Sequence, residues 1–398
     1  MLIHSLKLIW NRKGDNALII IELVLAFLVV FFIGSFGAYN WKLYHQPLGF
    51  DWQDTMELRF SPGGQWTEDD GRTLGQVMNT LGDMPEIEWV HGVNMGLFRG
   101  SRWTSPTAYN GRQVQTMFNQ LTDGAPQDLG VELLEGRWFN ASDAALDEDL
   151  ALINQRLRDA LFGDESPIGA DIRKVDERDP PEFRVPLRVI GVYRDFRQFG
   201  EMTELQPYVI TRFDIEDLEQ RLSSLTVRLR SGTPVDFEQA LQDTVQAVAP
   251  TWRITLTPLS KLRERRIRDV VLPLTIMGLV SAFLLLMVAF GLFGVLWQNV
   301  TRRTDELGLR RAVGASRQII YRQIVSETAL LAVLAVACGA LVAVQFPLTA
   351  AIKPLTWTSS GSGLLIGAGA IVGLAAACSL YPAWIAARRP PAEALHWE

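Results

Sequence analysis

The residues whose types and spacing could do chemistry lie in one polar stretch between two apolar blocks, TRRTDELGLRRAVGASRQIIYRQIVS. Glu306 and Arg310 stand four positions apart, in the order that favours an ion pair on one helical face. Gly314 can end that helix, and the hydroxyl of Ser316 can cap a second one. The pattern predicts a compact bent element. An ordinary basic loop beside a membrane remains the alternative.

An apolar edge accompanies this polar stretch. Leu309 and Val313 are four positions apart on the first predicted helix, and Ile320 and Ile324 repeat that spacing on the second. Since residues four apart share a helical face, we expect the four side chains to form one continuous apolar stripe.

Signatures of catalysis and nucleotide binding are absent from the sequence. No Gly is followed by Lys, so there is no phosphate-binding P-loop, and neither HExxH nor a G-x-S-x-G elbow occurs. Cys338 and Cys378 lie inside apolar blocks, without the spacing of a metal site or of a disulfide framework. We therefore expect no enzyme, no metal site and no cofactor bound directly by this chain, and a membrane-anchored hydrolase is disfavoured. The four histidines are scattered: His4, His45, His91 and His396.

Glu22 is the one ionisable side chain well inside an apolar block. A charged residue within a membrane helix is a functional candidate. Glu22 nevertheless follows the start of the block by only five residues, so its carboxylate could also reach the membrane surface. Both interpretations stay open.

Four apolar blocks surround these residues. The first, Ala17 to Ala38, would span about 33 Å as a helix, enough for a hydrocarbon core of about 30 Å. The other three have 28, 25 and 34 residues without a charge. Uncharged runs of this length predict membrane helices. These three blocks are Val270–Trp297, the residues between Glu327 and Lys353, and the residues between Lys353 and Arg388.

The first block is too long for a cleaved signal peptide, and no small-x-small cleavage site follows it, so we interpret it as a retained anchor. Four crossings would place both termini and residues 298–325 on one side of the membrane. That side holds eleven basic residues against seven near the membrane on the other side, which favours cytoplasmic termini by the positive-inside rule. The eleven are Lys7, Arg12, Lys13, Arg302, Arg303, Arg310, Arg311, Arg317, Arg322, Arg388 and Arg389.

The segment between the first two blocks has a composition of its own. Residues 39–268 contain 36 acidic and 26 basic side chains, whereas the whole chain of 398 residues has 44 and 38. This net charge of −10 disfavours a nucleic-acid binder. Its Val, Ile, Phe and Trp content argues against disorder. We expect an extracytoplasmic domain large enough to form its own core.

Strands and helices mix within this segment. Val227 and Leu229 alternate with arginines, a helical pattern with Phe237 and Leu241 on one face follows, and Trp252–Leu256 is again strand-like, which predicts a βαβ unit. Further β-rich or strand-to-helix stretches are Phe183–Arg194 and Leu150–Phe162. We expect an α+β domain in two lobes.

No helix stop separates Pro258 from Trp297, so one helix of about 60 Å is predicted to project beyond the membrane, with a kink at Pro273. Its arginine cluster forms either a solvated face or a contact with lipid phosphates. That cluster comprises Arg263, Arg265, Arg266 and Arg268.

The predicted fold class is an α-helical membrane protein with four transmembrane helices, one plus three, and a large α+β extracytoplasmic domain inserted between helices 1 and 2. The first 16 residues form either an interfacial helix on the cytoplasmic side or an extension of the first span. The predicted segments are residues 1–16, the first span 17–38, the outer domain 39–268 and the permease part 269–398, with spans at about 270–297, 328–350 and 362–386 and a cytoplasmic loop at 298–325.

Several strings resemble one known family. DELGLRRAVGASRQIIYRQIVSETALL is similar to the signature that precedes the third membrane helix in the MacB/FtsX-like permeases of ABC transporters, and YPAWIAARRPPAEALHWE resembles that family's ending. The outer segment has strings similar to the MacB-type periplasmic core, in the expected order: EGRWF, SPIG and VIGVYRDF. The first span departs from the family's glycine-rich pattern, because it has LIIIEL at Leu18–Leu23.

The resemblance implies a permease in the bacterial inner membrane that forms a dimer with an identical or paralogous copy. A separate cytoplasmic ATP-binding subunit, which holds ATP and Mg, would drive it. A periplasmic adaptor or outer-membrane protein is a further possible partner, and contacts are expected with lipid but not with nucleic acid. The positions that match the family's ATPase-coupling motif are Glu306, Gly308, Arg310, Arg311, Gly314, Ala315 and Ser316.

Two functions follow from this resemblance. In the first, ATP hydrolysis moves the outer domain and so exports or extracts a substrate, a mechanism called mechanotransmission. In the second, the same motion activates an extracytoplasmic partner such as a cell-wall hydrolase, and nothing is transported. The predicted spans contain few polar residues that could line a hydrophilic path, which favours movement of the outer domain over passage through a channel.

Overall fold

The computed structural model describes residues 13–146, 148–174, 186–214, 221–234 and 236–388. Two units are distinguished: a helical unit, made of the residues up to Lys42 and those from Val271 onward, and an α+β unit, Leu43–Val270. The interfacial helix predicted over residues 1–16 lies almost entirely outside the described residues, as does the family-like ending from residue 389.

The described elements are named in chain order. The helices are α1 Lys13–Tyr44, α2 Glu68–Gly82, α3 Ala125–Asp128, α4 Gln155–Leu161, α5 Phe237–Val248, α6 Leu259–Arg302, α7 Thr304–Ala312, α8 Arg317–Ala343, α9 Gln345–Thr349 and α10 Trp357–Arg388. The strands are β1 Thr55–Ser61, β2 Ile87–Gly92, β3 Trp103–Tyr109, β4 Arg112–Leu121, β5 Leu133–Gly136, β6 Asp149–Asn154, β7 Asp171–Lys174, β8 Leu187–Tyr193, β9 Tyr208–Arg212, β10 Ser224–Leu229 and β11 Arg253–Pro258.

Helices α1, α6, α8 and α10 are long and apolar enough to cross a membrane. The ends of these helices differ from the ends of the predicted spans. The predicted spans were delimited by apolar residues alone, whereas a helix can continue through the polar residues that flank a span. Thus α6 continues through Pro273 to Arg302 and α8 begins at Arg317, so the connection between the two spans, residues 298–325, is mostly helical, as its pattern predicted. The third span, predicted at 328–350, corresponds to α8 and the short α9, which follows after one residue; together they form one candidate span, Arg317–Thr349.

Close packing in the helical unit depends on glycines opposite one large side chain. Phe27 of α1 is fully buried, and its ring fills the space beside Gly339 of α8 and Gly367 of α10. A Cβ on Gly339 would overlap the ring, and a Cβ on Gly367 would lie 3.0 Å from it. Small residues let helices approach in this way in membranes, where packing drives helix association.

The smaller sheet of the α+β unit has four antiparallel strands in the order β11-β1-β10-β2. Helices α2 and α5 cover it, and their apolar faces form one core with the strands. Thr67 caps α2 in a capping box with Asp70, which also accepts a hydrogen bond from the Trp252 indole at 3.0 Å. The core includes Leu58, Leu74, Val77, Leu225, Val227, Leu241 and Val245.

The predicted βαβ unit is confirmed as β10, α5 and β11, with one addition. Strands β10 and β11 do not pair with each other, because β1 lies between them and is antiparallel to both. The insertion of β1 could not be seen locally, since it comes from the other end of the segment.

The larger sheet has seven strands in the order β5-β8-β6-β9-β4-β3-β7. Strand β7 pairs with β3 and also with β8, so the sheet curls back on itself. The strand-to-helix transition predicted at Leu150–Phe162 is confirmed by β6 and α4, and Asn154 caps α4 at the junction. Each sheet has its own core, so the expectation of two lobes is also confirmed.

Buried polar contacts join the two lobes. Asn119 of the larger sheet exchanges two hydrogen bonds with the backbone of Met95, at 2.8 and 3.0 Å. Nearby, Glu57 of β1 is buried and accepts hydrogen bonds from Nε and Nη2 of Arg99, the Nε to Oε2 distance being 2.9 Å. The lobes are therefore connected through groups that water cannot readily replace.

His91, at the end of β2, makes another contact between the lobes. Its Nε2 lies 2.7 Å from Asp128 Oδ2 of α3, and its Nδ1 lies 3.3 Å from Thr122 Oγ1. Burial lowers the pKa of His91, and this outweighs the opposing effects of Asp128 and Asp123.

The stability of the chain is expected to fall as pH drops below about 6.5, where His91 of the unfolded chain takes up a proton. The stabilisation from neutral, buried His91 is present above that pH and is lost as pH falls through the lowered folded pKa. The slope from one histidine is at most about 1.4 kcal/mol per pH unit. Thermal unfolding of the full chain in detergent between pH 7.5 and 5 should show a smaller slope for His91→Phe. The exposed His45 gives the control, since His45→Gln should keep the slope, and an unchanged slope in His91→Phe would contradict the assignment.

Candidate functional site

The polar stretch singled out in the sequence folds as helix, glycine break and helix. Helix α7 ends at Ala312, and Gly314 adopts a left-handed conformation with φ of 105°. The N–H of Ala315 donates to the carbonyl of Arg310 at 3.0 Å, the six-to-one hydrogen bond of a Schellman motif. The prediction that Gly314 ends this helix is confirmed.

Ser316 begins the second helix as predicted. Its backbone is extended, and its hydroxyl oxygen accepts a hydrogen bond from the Ile319 N–H at 3.3 Å. Because only Ala315 lies between Gly314 and this cap, the chain turns from one helix into the next within a few residues. The bent element, which we define as residues 304–316, is therefore confirmed over the alternative of an ordinary loop.

A closed ring of polar contacts ties the bent element to the start of α8. Glu306 pairs with Arg310 at 2.7 Å, Arg310 donates to Gln323 at 2.9 Å, and Gln323 donates to Glu327 at 2.9 Å. Glu327 accepts from Arg303 at 2.9 Å, and the Arg303 Nε lies 3.4 Å from the other oxygen of Glu306. Each member has two partners in this polar ring, so the angle between α7 and α8 is fixed by several contacts at once.

The sequence predicted only the Glu306–Arg310 side of this polar ring. Gln323 and Glu327 stand four positions apart on α8, which is the signal that could have identified them. Arg303 lies between two helices, three positions before Glu306, but no local spacing indicates its contact with Glu327. Its side chain is largely covered, with 15% of its surface exposed, and so is that of Glu327, with 18%.

The apolar stripe is divided rather than continuous, which corrects the expectation. Ile320 and Ile324 are buried with Val300 and Ala383. Leu309, Val313 and Ile319 instead remain exposed, by 58, 82 and 51%. The bend at Gly314 rotates α8 relative to α7, so four-residue spacing on each helix does not place both sets on one face.

The exposed apolar residues border an open groove of about 380 Å³ on the bent element. Exposed apolar surface flanked by polar groups is typical of a docking site. We call this surface the apolar groove; its lining is Leu309, Arg310, Val313, Ala315, Ile319, Ile320 and Gln323.

The remaining four predicted residues occupy different positions. Gly308 is buried within α7, and Ala315 lines the apolar groove. Arg311 belongs to α7 by its backbone, and its side chain lies outside the described part of the chain. Glu22 is half-buried on α1 and belongs to a different place, since a Cβ on Gly291 of α6 would lie 2.9 Å from its Oε1. No described residue forms a hydrogen bond or ion pair with Glu22.

Within the described ranges, no group of three or more His, Cys, Asp or Glu side chains is arranged to hold a metal ion. The local chemistry of the bent element is therefore charge pairing, helix capping and exposed apolar surface.

Two family models match the chain. Residues 17–247 match the MacB-like periplasmic core domain, and residues 278–391 match the FtsX-like permease C-terminal domain. The first match covers more than half of the chain and the second contains the bent element.

Curated relatives include proteins named macrolide export ATP-binding/permease protein MacB. The one from Neisseria meningitidis serogroup A is 28% identical over 277 residues, which are 67% of this chain and 41% of the relative. That from Bordetella avium is 28% identical over 283 residues, 68% of this chain and 41% of the relative. The chain thus spans about two fifths of the length of these relatives.

Solved structures similar to the chain include the periplasmic region of MacB from Actinobacillus actinomycetemcomitans, with 14% identity and a TM-score of 0.39 over 56% of this chain and 97% of that one. The extracellular domain of the noncanonic ABC-type transporter YknZ from Gram-positive bacteria has 15% identity and a TM-score of 0.36, over 50% of this chain and 99% of that one.

Proposed function

Because the chain belongs to the MacB/FtsX-like family of ABC transporter permeases, we propose that a separate cytoplasmic ATP-binding subunit drives it. ATP hydrolysis on that subunit would move the α+β unit outside the membrane and so export or extract a substrate. The observation that supports this proposal is the bent element, which combines an exposed apolar groove with a polar ring that holds its shape.

The bent element has the properties of a lever. The side chains of Leu309, Val313 and Ile319 are exposed to water. When a partner covers them, each Å² of apolar surface that is removed from water favours binding by about 25 cal/mol. The polar ring connects the bent element to α8, so a movement of the partner bound at the apolar groove would be transmitted to a long helix. A loop without these contacts would deform instead and would not move α8.

ATP and Mg are assigned to the companion subunit, since no Gly-Lys pair for a phosphate-binding loop occurs in these 398 residues. The matched relatives carry both "ATP-binding" and "permease" in their names, and we propose that here the two functions reside on different chains. The complete assembly would contain a second permease copy, identical or paralogous, in the bacterial inner membrane, with a periplasmic adaptor or outer-membrane protein as a possible further partner.

A regulatory scaffold is the second candidate. The same ATP-driven motion could activate an extracytoplasmic enzyme such as a cell-wall hydrolase. Purification of the membrane complex followed by mass spectrometry distinguishes the two. A bound hydrolase favours the scaffold, whereas an outer-membrane channel, adaptor or lipoprotein favours export or extraction.

Gly314→Val should uncouple the companion ATPase. Valine at φ of 105° is strained by at least about 1–2 kcal/mol, so the turn must open and the apolar groove loses its shape. We expect ATPase stimulation by the permease in reconstituted complexes to fall about tenfold. Gly111→Val is the matched control, because Gly111 also has a positive φ, 79°, with open space around it, and lies in the α+β unit.

Glu306→Lys should have a similar effect through the polar ring, since it places a third cation beside Arg303 and Arg310. The double variant Glu306→Lys, Arg310→Glu restores an opposite-charge pair and should recover part of the activity. Wild-type docking and ATPase activity in both Gly314→Val and Glu306→Lys would contradict the lever.

A further inference from the structure

The loop that follows β8 in the α+β unit has two buried charged side chains that contact both long helices. Arg197, 3% exposed, donates hydrogen bonds to the carbonyl of Leu43 in the last turn of α1 and to that of Glu201, each at 3.0 Å. It also donates to the side chain of Gln46. Glu201, 5% exposed, accepts a hydrogen bond from Nε of Arg263 in α6. One loop therefore binds the end of α1 and the beginning of α6.

The loop also packs against α6 in the state that the structure describes. Phe196 and Phe199 of the loop share a core with Leu259 and Leu262 of α6. The Arg263 guanidinium also lies 4.8 Å from the ring centroid of Trp52, within cation–π range. Leaving a buried charge without its partner is strongly unfavourable, so Glu201 must keep a cationic partner wherever α6 moves.

A second cation is available one turn further along α6. Arg266 follows Arg263 by three residues, and its side-chain stem passes the loop, because a Cβ on Gly200 would lie 3.6 Å from Arg266 Cγ. The buried atoms here without a hydrogen-bond partner among the described residues include Oε2 of Glu201 and Nε of Arg266, and the contact of Arg266 with Asp269 is long, 3.9 Å from Nη1 to Oδ2. An acceptor and a donor of opposite charge are thus both unsatisfied beside the existing pair, whereas buried polar groups are normally paired.

We propose that Glu201 exchanges Arg263 for Arg266 when α6, together with the strand β11 that leads directly into it, steps along the α6 axis, while Arg197 keeps the end of α1 attached to the same loop. Three residues at 1.5 Å each make the step about 4.5 Å. Steps of about one helical turn between two packed positions are a known way to convert a continuous push into two states. The inference rests on the proposed function for what drives the step, and it assigns Arg263, Arg266 and Glu201 as positioning residues for the transmitted motion.

The exchange can be tested without any companion protein, in the full chain reconstituted in lipid nanodiscs. Spin labels are attached at Asp164→Cys, in the larger lobe that carries the Glu201 loop, and at Lys261→Cys on α6, both exposed positions, after Cys338 and Cys378 are replaced by alanine. Arg263→Gln removes the first partner, so the distance between the labels should change by up to about 4.5 Å as Glu201 takes Arg266. The double variant Arg263→Gln, Arg266→Gln should lose this defined second distance and give a broad distribution.

Arg268→Gln is the matched control, because Arg268 lies on the same helix and forms an exposed pair with Glu264. The distance between the two spin labels in Arg268→Gln should equal the distance in the wild type. An unchanged distance in Arg263→Gln, or the same second distance in the double variant, would overturn the exchange.

A second measurement uses the complex with its ATP-binding companion, and it decides the matter if Arg263→Gln does not fold. The wild type should change its label distance when ATP hydrolysis is blocked with a non-hydrolysable analogue. Arg266→Gln should keep the nucleotide-free distance but lose that change. A nucleotide-dependent change that persists in Arg266→Gln would overturn the exchange and leave the proposed function intact. Failure of the chain to bind any ATPase would count against the proposed function, and the nanodisc experiment would still decide the exchange.

Discussion

Gly363→Val is expected to destabilise the folded chain by about 3 kcal/mol or more. Gly363 lies on α10 against α1, where a Cβ would overlap the hydroxyl of Ser35 and lie 2.6 Å from the carbonyl oxygen of Phe31 and 2.9 Å from the backbone nitrogen of Ser35. Two of these atoms belong to the backbone, so no change of rotamer removes the overlap. Helix α1 must move away, and the packing of Phe27 between its two glycines is lost with it. Thermal unfolding in detergent and the monodisperse fraction in size exclusion measure the effect.

The matched control for this prediction is Gly369→Val on the same helix. It makes the same chemical change at a position where a Cβ meets nothing within 4 Å. We expect only a small effect there. If both variants lost the same stability, the cause would be the altered helix or its insertion, and the proposed packing of α1 on α10 would be wrong.

Arg99→Met is the second change with a large expected effect, a loss of about 3–5 kcal/mol in the free energy of unfolding. Glu57 is 1% exposed, and its carboxylate accepts hydrogen bonds from two nitrogens of Arg99. Without Arg99 the charge of Glu57 stays buried in the sheet of the smaller lobe. Chemical denaturation of the purified chain, followed by tryptophan fluorescence, should show a lower midpoint.

Two further variants separate this charge effect from a general loss of packing. Arg72→Met removes an arginine whose partners Glu68 and Asp69 are exposed on α2, and it should cost less than about 1 kcal/mol. The double variant Glu57→Met, Arg99→Met should regain most of the stability, because an apolar pair can replace a buried ion pair. A double variant no more stable than Arg99→Met alone would contradict the buried-charge explanation.

Local patterns predicted the elements that depend on near neighbours in the chain. The long uncharged blocks predicted α1, α6, α8 and α10, and the Gly314 and Ser316 signals predicted the bend and the cap correctly. These features are decided by hydrophobicity and by backbone groups within a few residues, so one sequence contains the information for them.

Contacts between distant residues could not be predicted in this way. Arg303 closes the polar ring with Glu327, 24 residues later, and Arg197 binds Gln46, 151 residues earlier. The arginine cluster of α6 illustrates the same limit. Its two predicted interpretations were solvent and lipid, yet Arg263 pairs with a buried carboxylate that no local pattern identifies. Such partners are selected by tertiary packing, which overrides local preference.

The place of β1 between β10 and β11 has a consequence for biogenesis. Phe60 of β1 pairs with Ile254 of β11. Strand β1 is therefore synthesised early, whereas its partner β11 is the last strand of the α+β unit to be synthesised, immediately before α6. Pairing at such sequence separation is slow, so β1 stays unpaired until β11 has been made. With the α+β unit outside the membrane, as proposed, we expect the smaller lobe to complete its folding only after the residues up to Pro258 have crossed, and to depend more than the larger lobe on chaperones there.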